Sequence, residues 1–449
     1  MARLKFLKPF QEFLESQVAA GVVLLLCAVA AIVWANQPGG YEQHHQVMQK
    51  LFTIGFEGAG LSKSLEHWIN DGLMVIFFLV VGIEIKRELV HGELAHLRAA
   101  MLPIVGAVGG MVIPALTYAA FNSGTAAAHG WGIPMATDIA FAMACAAVLG
   151  KRVPSSLVVF LTALAIVDDL GAVLVIAIFY TSNLDLMMLG SAGLISLLLI
   201  GLNWLDVRKS LPYLILGVFL WYFTLKSGIH ATIAGVVLGF ILPASNRSSL
   251  AELLDTVEEL VRSARQRLQG AQDEEDRNAV KEEALLTLEE LGNDVEAPSH
   301  TLAQNLQPWV SYVIMPVFAL ANAAVVIDGA TLREAIQHPV ALGVALGLLF
   351  GKTLGIFSLS ALAIKTGLAA MPKGASWAQL LGFSALGGIG FTMSLFVNQL
   401  AFEDPHFMEL AKQGIIFGSL LSACLGFVIL FMAAPSRAAD AATFTSEKT

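Results

Sequence analysis

The stretch GIPMATDIAFAMACAAVLGKRVPSSLVVFLTALAIVDDLGAVLVIAIFY, residues 132–180, decides the fold. Its apolar runs are long enough to cross a bilayer at about 20 residues each. Yet it carries three carboxylates, Asp138, Asp168 and Asp169. A charged carboxylate at mid-membrane depth costs about 3 kcal/mol or more, so it faces a cavity, pairs with a partner or holds a proton. Three acids set in such sequence mark a site.

Outward from that stretch the apolar pattern repeats. Of 449 residues, 56% are hydrophobic and 14% charged, against about 25% charged in soluble proteins, and the mean hydropathy is +0.72. The expected class is an all-α polytopic membrane protein. Spans are expected near residues 15–36, 71–87, 99–121, 132–150, 155–180, 186–203, 211–226, 228–243, 309–328, 339–364, 378–400 and 411–433, about 12 transmembrane helices. The N-terminal run following MARLKFLKPF is longer than the 7–15 residue core of a secretory leader and reads as a retained first helix. Cys27, Cys145 and Cys424 are scattered through apolar segments and imply neither a disulfide framework nor a metal site.

Charge locates the one soluble-looking region. Residues 247–296 hold 14 acidic and 6 basic side chains, nearly the whole net charge of -9. The acidity therefore belongs to a single loop, and no basic face suggests nucleic acid. Apolar positions at Leu250, Leu253, Leu254, Val257, Leu260, Val261 and Leu268, and again in EEALLTLEELG, predict two amphipathic helices. The expected organisation is a membrane domain over 1–245, an acidic cytoplasmic insertion over 246–307, a second membrane part over 308–436 and a tail over 437–449. Basic residues collect in alternate loops, at Arg3, Lys5 and Lys8, at Lys86, Arg87 and Arg98, at Lys151 and Arg152, at Arg208 and Lys209, at Arg247, at Lys365 and Lys373, and at Arg437. The positive-inside rule then makes both termini cytoplasmic. The polar connection 37–66, with Gly39-Gly40, is a candidate short hairpin on the outer side.

Two spans are interrupted. Pro134, Thr137 and Asp138 break the fourth, and Gly387, Gly388 and Gly390 with Thr392 break the eleventh. Such breaks are tolerated at depth only where the freed backbone groups meet protein or a cavity. Paired breaks in two halves predict inverted-topology repeats with two broken helices crossing at mid-membrane, although glycine alone also serves close helix packing. At such a crossing the helix dipoles favour an acid near the N-termini and a base near the C-termini. Asp138 is the candidate acid, and Lys352, the one cation deep in an apolar span, is the candidate base. Asp168 and Asp169 point about 100° apart on a helix. One of them is expected to ligate a cation while its neighbour meets Lys352 or shares that task. Coupled acids of this kind exchange protons as a unit, and hard cations take oxygen ligands such as carboxylates and the Thr137 hydroxyl. The bland alternatives are acids that only neutralise helix ends and a lysine that snorkels. His129 and His230 stand isolated, so no transition-metal cluster is suggested.

These residues carry a resemblance. NDGLMVIFFLVVGIEIKREL (70–89), GIPMATDIAFA (132–142), ALAIVDDLGAV (163–173), LKSGIHATIAGVVLGF (225–240), MPVFALANAAV (315–325), GKTLGI (351–356) and GGIGFTMSLF (387–396) are together similar to the NhaA family of bacterial sodium/proton antiporters. Crossed broken helices in inverted repeats are that family's architecture. The resemblance implies exchange of Na+ or Li+ for H+ without a cofactor, in the bacterial inner membrane. Asp168 and Asp169 would hold the cation and protons, beside Asp138, Thr137 and Lys352. It further implies a pH-responsive region at Glu84 and Glu88, with His230, an electrogenic cycle, and a homodimer formed through a hairpin after the first helix. The long acidic insertion departs from the family pattern and bears on the pH profile. Rival readings are an organic-solute carrier of the same architecture, a sensor whose output is the insertion, and an intramembrane aspartyl protease, whose GxGD motif does not occur here.

Overall fold

A backbone surrounded by hydrocarbon must satisfy its own hydrogen bonds, which restricts an apolar chain of this kind to helices. The computed structural model follows that rule, and it describes residues 17–54, 61–181, 184–244, 250–270, 273–295 and 297–433. Among the described residues, eight helices are long and apolar enough to cross a membrane, or nine if one pair bent by 45° is counted as a single span. They are α1 (Val18–Ala35), α3 (Leu65–His91), α4 (Leu97–Asn122), the interrupted segment Ala126–Leu149, α6 (Ser155–Phe179), α7 (Leu186–Trp204), α14 (Pro339–Lys365) and α17 (Pro405–Met432), with the bent pair α15 (Trp377–Leu386) and α16 (Phe391–Ala401). Three further segments complete the twelve that hydropathy suggested. They are the 17-residue α8 (Ser210–Lys226), the ten-residue α9 (Thr232–Ile241) and α12 (298–322), which is helical from Pro298 through a wide turn at Val310–Ile314 to Asn322.

Some expected boundaries move. The ninth segment is helix over 298–322 rather than 309–328, because its first turns carry His300, Gln304 and Gln307, which hydropathy discounts. The second starts at Leu65 and holds a wide turn at Trp68–Leu73. The connection 37–66 holds the expected hairpin, though Gly39-Gly40 is not its turn and instead opens a short helix α2 (Gly40–Met48). The hairpin lies just beyond, as antiparallel strands β1 (Leu51–Ile54) and β2 (Leu61–Ser64). The acidic insertion forms two paired helices, α10 (Leu250–Gly270) and α11 (Glu274–Val295), with an ion pair of 2.8 Å between Arg267 and Glu283. The basic residues Arg3, Lys5, Lys8, Arg247 and Arg437 and the tail 437–449 lie outside the described residues. A further short helix, α13 (Gly329–Gln337), precedes α14 and is capped by Asp328.

Contacts divide the spans into two faces. Arg152 reaches the carbonyl of Phe431 at 3.0 Å and Ser156 that of Lys373 at 2.7 Å, so these loops share the face from which the insertion leaves. On the opposite face Asn36 bonds the carbonyl of Val325 at 2.8 Å, and His230 donates to that of Tyr180 at 2.7 Å.

Two assemblies pack side by side. A panel of α3, α7, α8, α9 and α12 has its own core around Ile83, Leu199, Tyr213, Leu220 and Leu238. A bundle of α4, the interrupted segment Ala126–Leu149, α6, α14, α15, α16 and α17 buries Leu164, Leu348, Phe383, Leu386 and Ile389. Within the bundle α4 and α14 touch backbone to backbone. A Cβ on Gly109 would stand 2.1 Å from the Gly355 carbonyl oxygen, and one on Gly355 2.2 Å from that of Gly109. In a membrane, where lipid is as apolar as leucine, such close contact supplies much of the association. Gly355→Val forces the two helices apart, and overpacking of that kind costs about 1–3 kcal/mol. A lowered thermal midpoint of the purified protein in detergent, with Gly190→Val unchanged because open space surrounds Gly190, is the expected measurement.

Candidate functional site: the crossing of two broken helices

The fourth span is interrupted in a way its sequence accounts for. Ala126–Met135 coils as a tight 3₁₀ helix containing Pro134, residues 136–138 are extended, and α5 (Ile139–Leu149) starts afresh with Asp138 as its N-cap. The eleventh span breaks between α15 and α16 over Gly387, Gly388, Ile389 and Gly390. The two breaks satisfy each other. Asp138 N donates to Ile389 O at 2.6 Å, Thr137 Oγ1 to Gly387 O at 2.9 Å and Ser394 Oγ to Ile133 O at 2.8 Å. Side chains would not fit here. A Cβ on Gly388 would lie 2.5 Å from Leu348 O, and one on Gly390 2.9 Å from Ala136 O.

Asp138 serves both helices at once. Its Oδ1 accepts from Phe141 N at 3.0 Å, in the first turn of α5. Its Oδ2 accepts from Thr392 N at 3.1 Å and Thr392 Oγ1 at 2.5 Å, in the first turn of α16. One carboxylate thus compensates two helix N-termini, each carrying unpaired N–H groups and partial positive charge. Ser419 of α17 adds a second cap, accepting from Gly390 N at 3.3 Å and Phe391 N at 3.1 Å.

Lys352 ends a wide helical turn, Gly347–Lys352, within α14, and its side chain is fully buried. Wide turns of this type recur at functional positions. Its ammonium donates to Thr137 Oγ1 and to Asp168 Oδ2, the latter an ion pair. Asp168 is therefore the member of the adjacent pair that meets the lysine. Asp169, one position on, shares the burial at 3% exposure and makes no ion pair among the described residues. Asp168 Oδ1 and Asp169 Oδ1 are both buried without a hydrogen-bond partner in the protein. An anionic oxygen in that condition is costly unless a proton, a cation or water meets it. Among the described residues, no three His, Cys, Asp or Glu side chains converge as a metal-ligand set. A cation held here would thus take its remaining oxygens from groups other than a third carboxylate.

The structure brings together Asp138, Thr137, Lys352, Asp168, Pro134 and the three break glycines, with Gly347 of α14 packed on the Pro134 ring. It does not bring together the three pH-response candidates. Glu84 and Glu88 lie in the half of α3 toward the insertion face, where Glu88 accepts from Glu93 N at 3.1 Å and Lys86 holds two carbonyls at the end of α9, Phe240 O at 2.8 Å and, just past the helix, Leu242 O at 2.6 Å. His230 stands at the opposite face, bonded to Tyr180 O, while the Tyr180 hydroxyl donates to His129 O at 2.7 Å. Sequence reasoning passed over Ser394 and Ser419, small hydroxyls in apolar helices that carry no periodic signal. Thr392 was visible as the counterpart of Thr137.

Broken helices that cross and satisfy one another, with buried acids and a buried base at the crossing, define a secondary active transporter for small cations. The profile of the Na+/H+ antiporter 1 family matches residues 11–430, nearly the whole chain. Relatives named Na+/H+ antiporter NhaA include one from Oleidesulfovibrio alaskensis, 47% identical over 95% of this chain and 94% of its own, and one from Rhodospirillum rubrum, 46% identical over 94% and 97%. One named Na+/H+ antiporter NhaA 2 from Syntrophotalea carbinolica is 46% identical over 97% and 99%. The chain belongs to this family.

Removing one partner of a buried ion pair costs about 3–5 kcal/mol because the other charge is left behind. Lys352→Met is therefore expected to lower the thermal midpoint at pH 8 well below that of the double variant Asp168→Asn/Lys352→Met, measured by melting in detergent.

Proposed function

We propose that this antiporter exchanges cytoplasmic Na+ or Li+ for external H+ at one site, formed by Asp168 and Asp169 with Lys352, Thr137 and the crossing held by Asp138. The observation that carries the reading is the pair of buried carboxylate oxygens without a protein partner, beside the one fully buried basic side chain among the described residues. With the site open to the cytoplasm, Asp168 and Asp169 release protons and the metal takes their place. Lys352, released from Asp168 by the arriving cation, stays near through Thr137. The bundle then rocks against the panel, and protons from outside displace the metal. One occupant excludes the other, so exchange is obligatory.

The finer features of this reading follow the family. The protein sits in the bacterial inner membrane with both termini and the insertion 246–307 cytoplasmic. It moves more protons than sodium ions per cycle and is regulated by pH, serving sodium and pH homeostasis. Glu84 and Glu88 carry the pH response from the insertion side and His230 from the other. Leu51, Phe52 and Ile54, all exposed on β1, support a homodimer through the hairpin, since an exposed strand edge is a ready pairing surface.

Two outcomes test this. Asp169→Asn keeps the fold but abolishes Na+- and Li+-driven pH changes in proteoliposomes followed with a ΔpH dye; robust exchange in that variant refutes the assignment. Competition for shared oxygens also fixes a sign. Below the pH at which the acids are half protonated, the apparent KM for Na+ rises as pH falls, up to tenfold per pH unit for each proton displaced, while kcat changes less.

A further inference from the structure

Three side-chain amides close a ring near the face opposite the insertion. Asn322 Nδ2 donates to Asn70 Oδ1 at 2.9 Å, Asn70 Nδ2 donates to Gln399 Oε1, and Gln399 Nε2 donates to Asn322 Oδ1. Each amide gives one bond and takes one, so the donors run in a single sense around the ring. Two of the three spare N–H groups are also used. Asn322 Nδ2 reaches Phe318 O at 2.9 Å, and Gln399 Nε2 reaches Glu66 Oε1 at 3.2 Å.

The ring joins elements of different assemblies. Asn70 lies in the wide turn of α3, and Asn322 is the last helical residue of α12, both panel helices. Gln399 belongs to α16 of the bundle, nine residues beyond the break at Gly390, or about 13 Å along the helix. One turn deeper the same three helices meet again through aromatic rings. Phe396 of α16 stands 5.3 Å from Phe78 of α3 and 6.3 Å from Phe318 of α12, between ring centroids. Between the crossing and the outer face the seam thus carries an aromatic layer and, above it, the closed amide ring.

The chemistry of this contact differs from the contacts inside each assembly. There, glycines let backbones touch, as where a Cβ on Gly235 of α9 would lie 2.3 Å from Val75 O of α3. Such contacts have no second arrangement short of separation. Uncharged amides lose little when parted, because water replaces each bond, and membrane hydrogen bonds of this type are individually weak. A contact that must open and re-form in every cycle needs that property.

We propose that Asn70, Asn322 and Gln399 form a latch that holds the panel and bundle together on the outer side, and that its opening lets the ion site face outward. The residues are positioning residues, acting on the exposure of Asp168 and Asp169 rather than on the ions. The proposal rests on the exchange reading above and adds to it the contact that sets which side the site faces.

The test fastens the latch. In a chain with Cys27, Cys145 and Cys424 replaced by serine, Asn70→Cys and Gln399→Cys are bridged by a short thiol reagent cleavable by reduction. The bridged fraction is measured by mass spectrometry, and each preparation is compared with its own unbridged form. Exchange in proteoliposomes is expected to fall in proportion to the bridged fraction, at least tenfold at completion, and to return on reduction. Bridging Asn70→Cys to Asn322→Cys, within the panel, is expected to leave the rate within twofold. Undiminished exchange in the bridged 70–399 protein overturns the latch, and leaves the antiport reading standing because the unbridged form exchanges. A second variant, Gln399→Leu, removes two ring bonds without adding a constraint. It is expected to weaken the apparent Na+ affinity measured from the insertion face roughly tenfold and to strengthen it from the opposite face; equal change on both faces, or none, also overturns the latch.

Discussion

The molecule depends on one constraint, that a helix interrupted inside hydrocarbon has to find new partners for its freed backbone groups. Here each interrupted helix supplies the partners of the other. The Asp138 amide bonds Ile389 O, the Thr137 hydroxyl bonds Gly387 O, and the Asp138 carboxylate receives the first turns of both α5 and α16. With that exchange of bonds in place, two polar, non-helical stretches are accommodated at mid-depth. The same bonds leave Thr137 oriented to accept from Lys352, which in turn holds Asp168. The structural requirement of the break and the chemical requirement of the site are met by one set of atoms.

This arrangement separates the roles of three acids that composition alone treats alike. Asp138 has both carboxylate oxygens committed to helix ends, whereas Asp168 and Asp169 each retain a buried oxygen with no partner in the protein. A group whose lone pairs are engaged orders its surroundings, and one with an unpartnered buried oxygen keeps a lone pair open to a proton, a cation or water. Lys352 links the two kinds through the Thr137 hydroxyl.

Much of this was legible in the sequence because acids, bases and glycines are rare inside apolar runs. GIPMATD and GGIGFT announced the breaks, and the ALAIVDDLGAV pair together with a lysine in GLLFGK announced the site. The choice between Asp168 and Asp169 as partner of Lys352 was not legible, since adjacent helical positions differ only in direction, and the packing of α6 on α4, which also carries α14, decides which one faces the lysine. The start of α12 was missed because its first turns are polar, and a hydropathy window cannot distinguish a polar helix end from a loop. The panel and bundle were invisible too, for the glycines that join α4 to α14 and α3 to α9 look the same in sequence as those that break α15 from α16.

The ten-residue α9 carries a last consequence. At 1.5 Å per residue it spans about 15 Å, half the hydrocarbon thickness of about 30 Å, and the chain before it is a polar connection through Ser227 and His230. That connection is not open to the surroundings: Ser227 and Ala231 are buried, and the Ser227 carbonyl accepts from Asp185 N at 2.9 Å. The missing length is made up by irregular chain packed inside the protein, a setting in which non-helical backbone is tolerated at membrane depth.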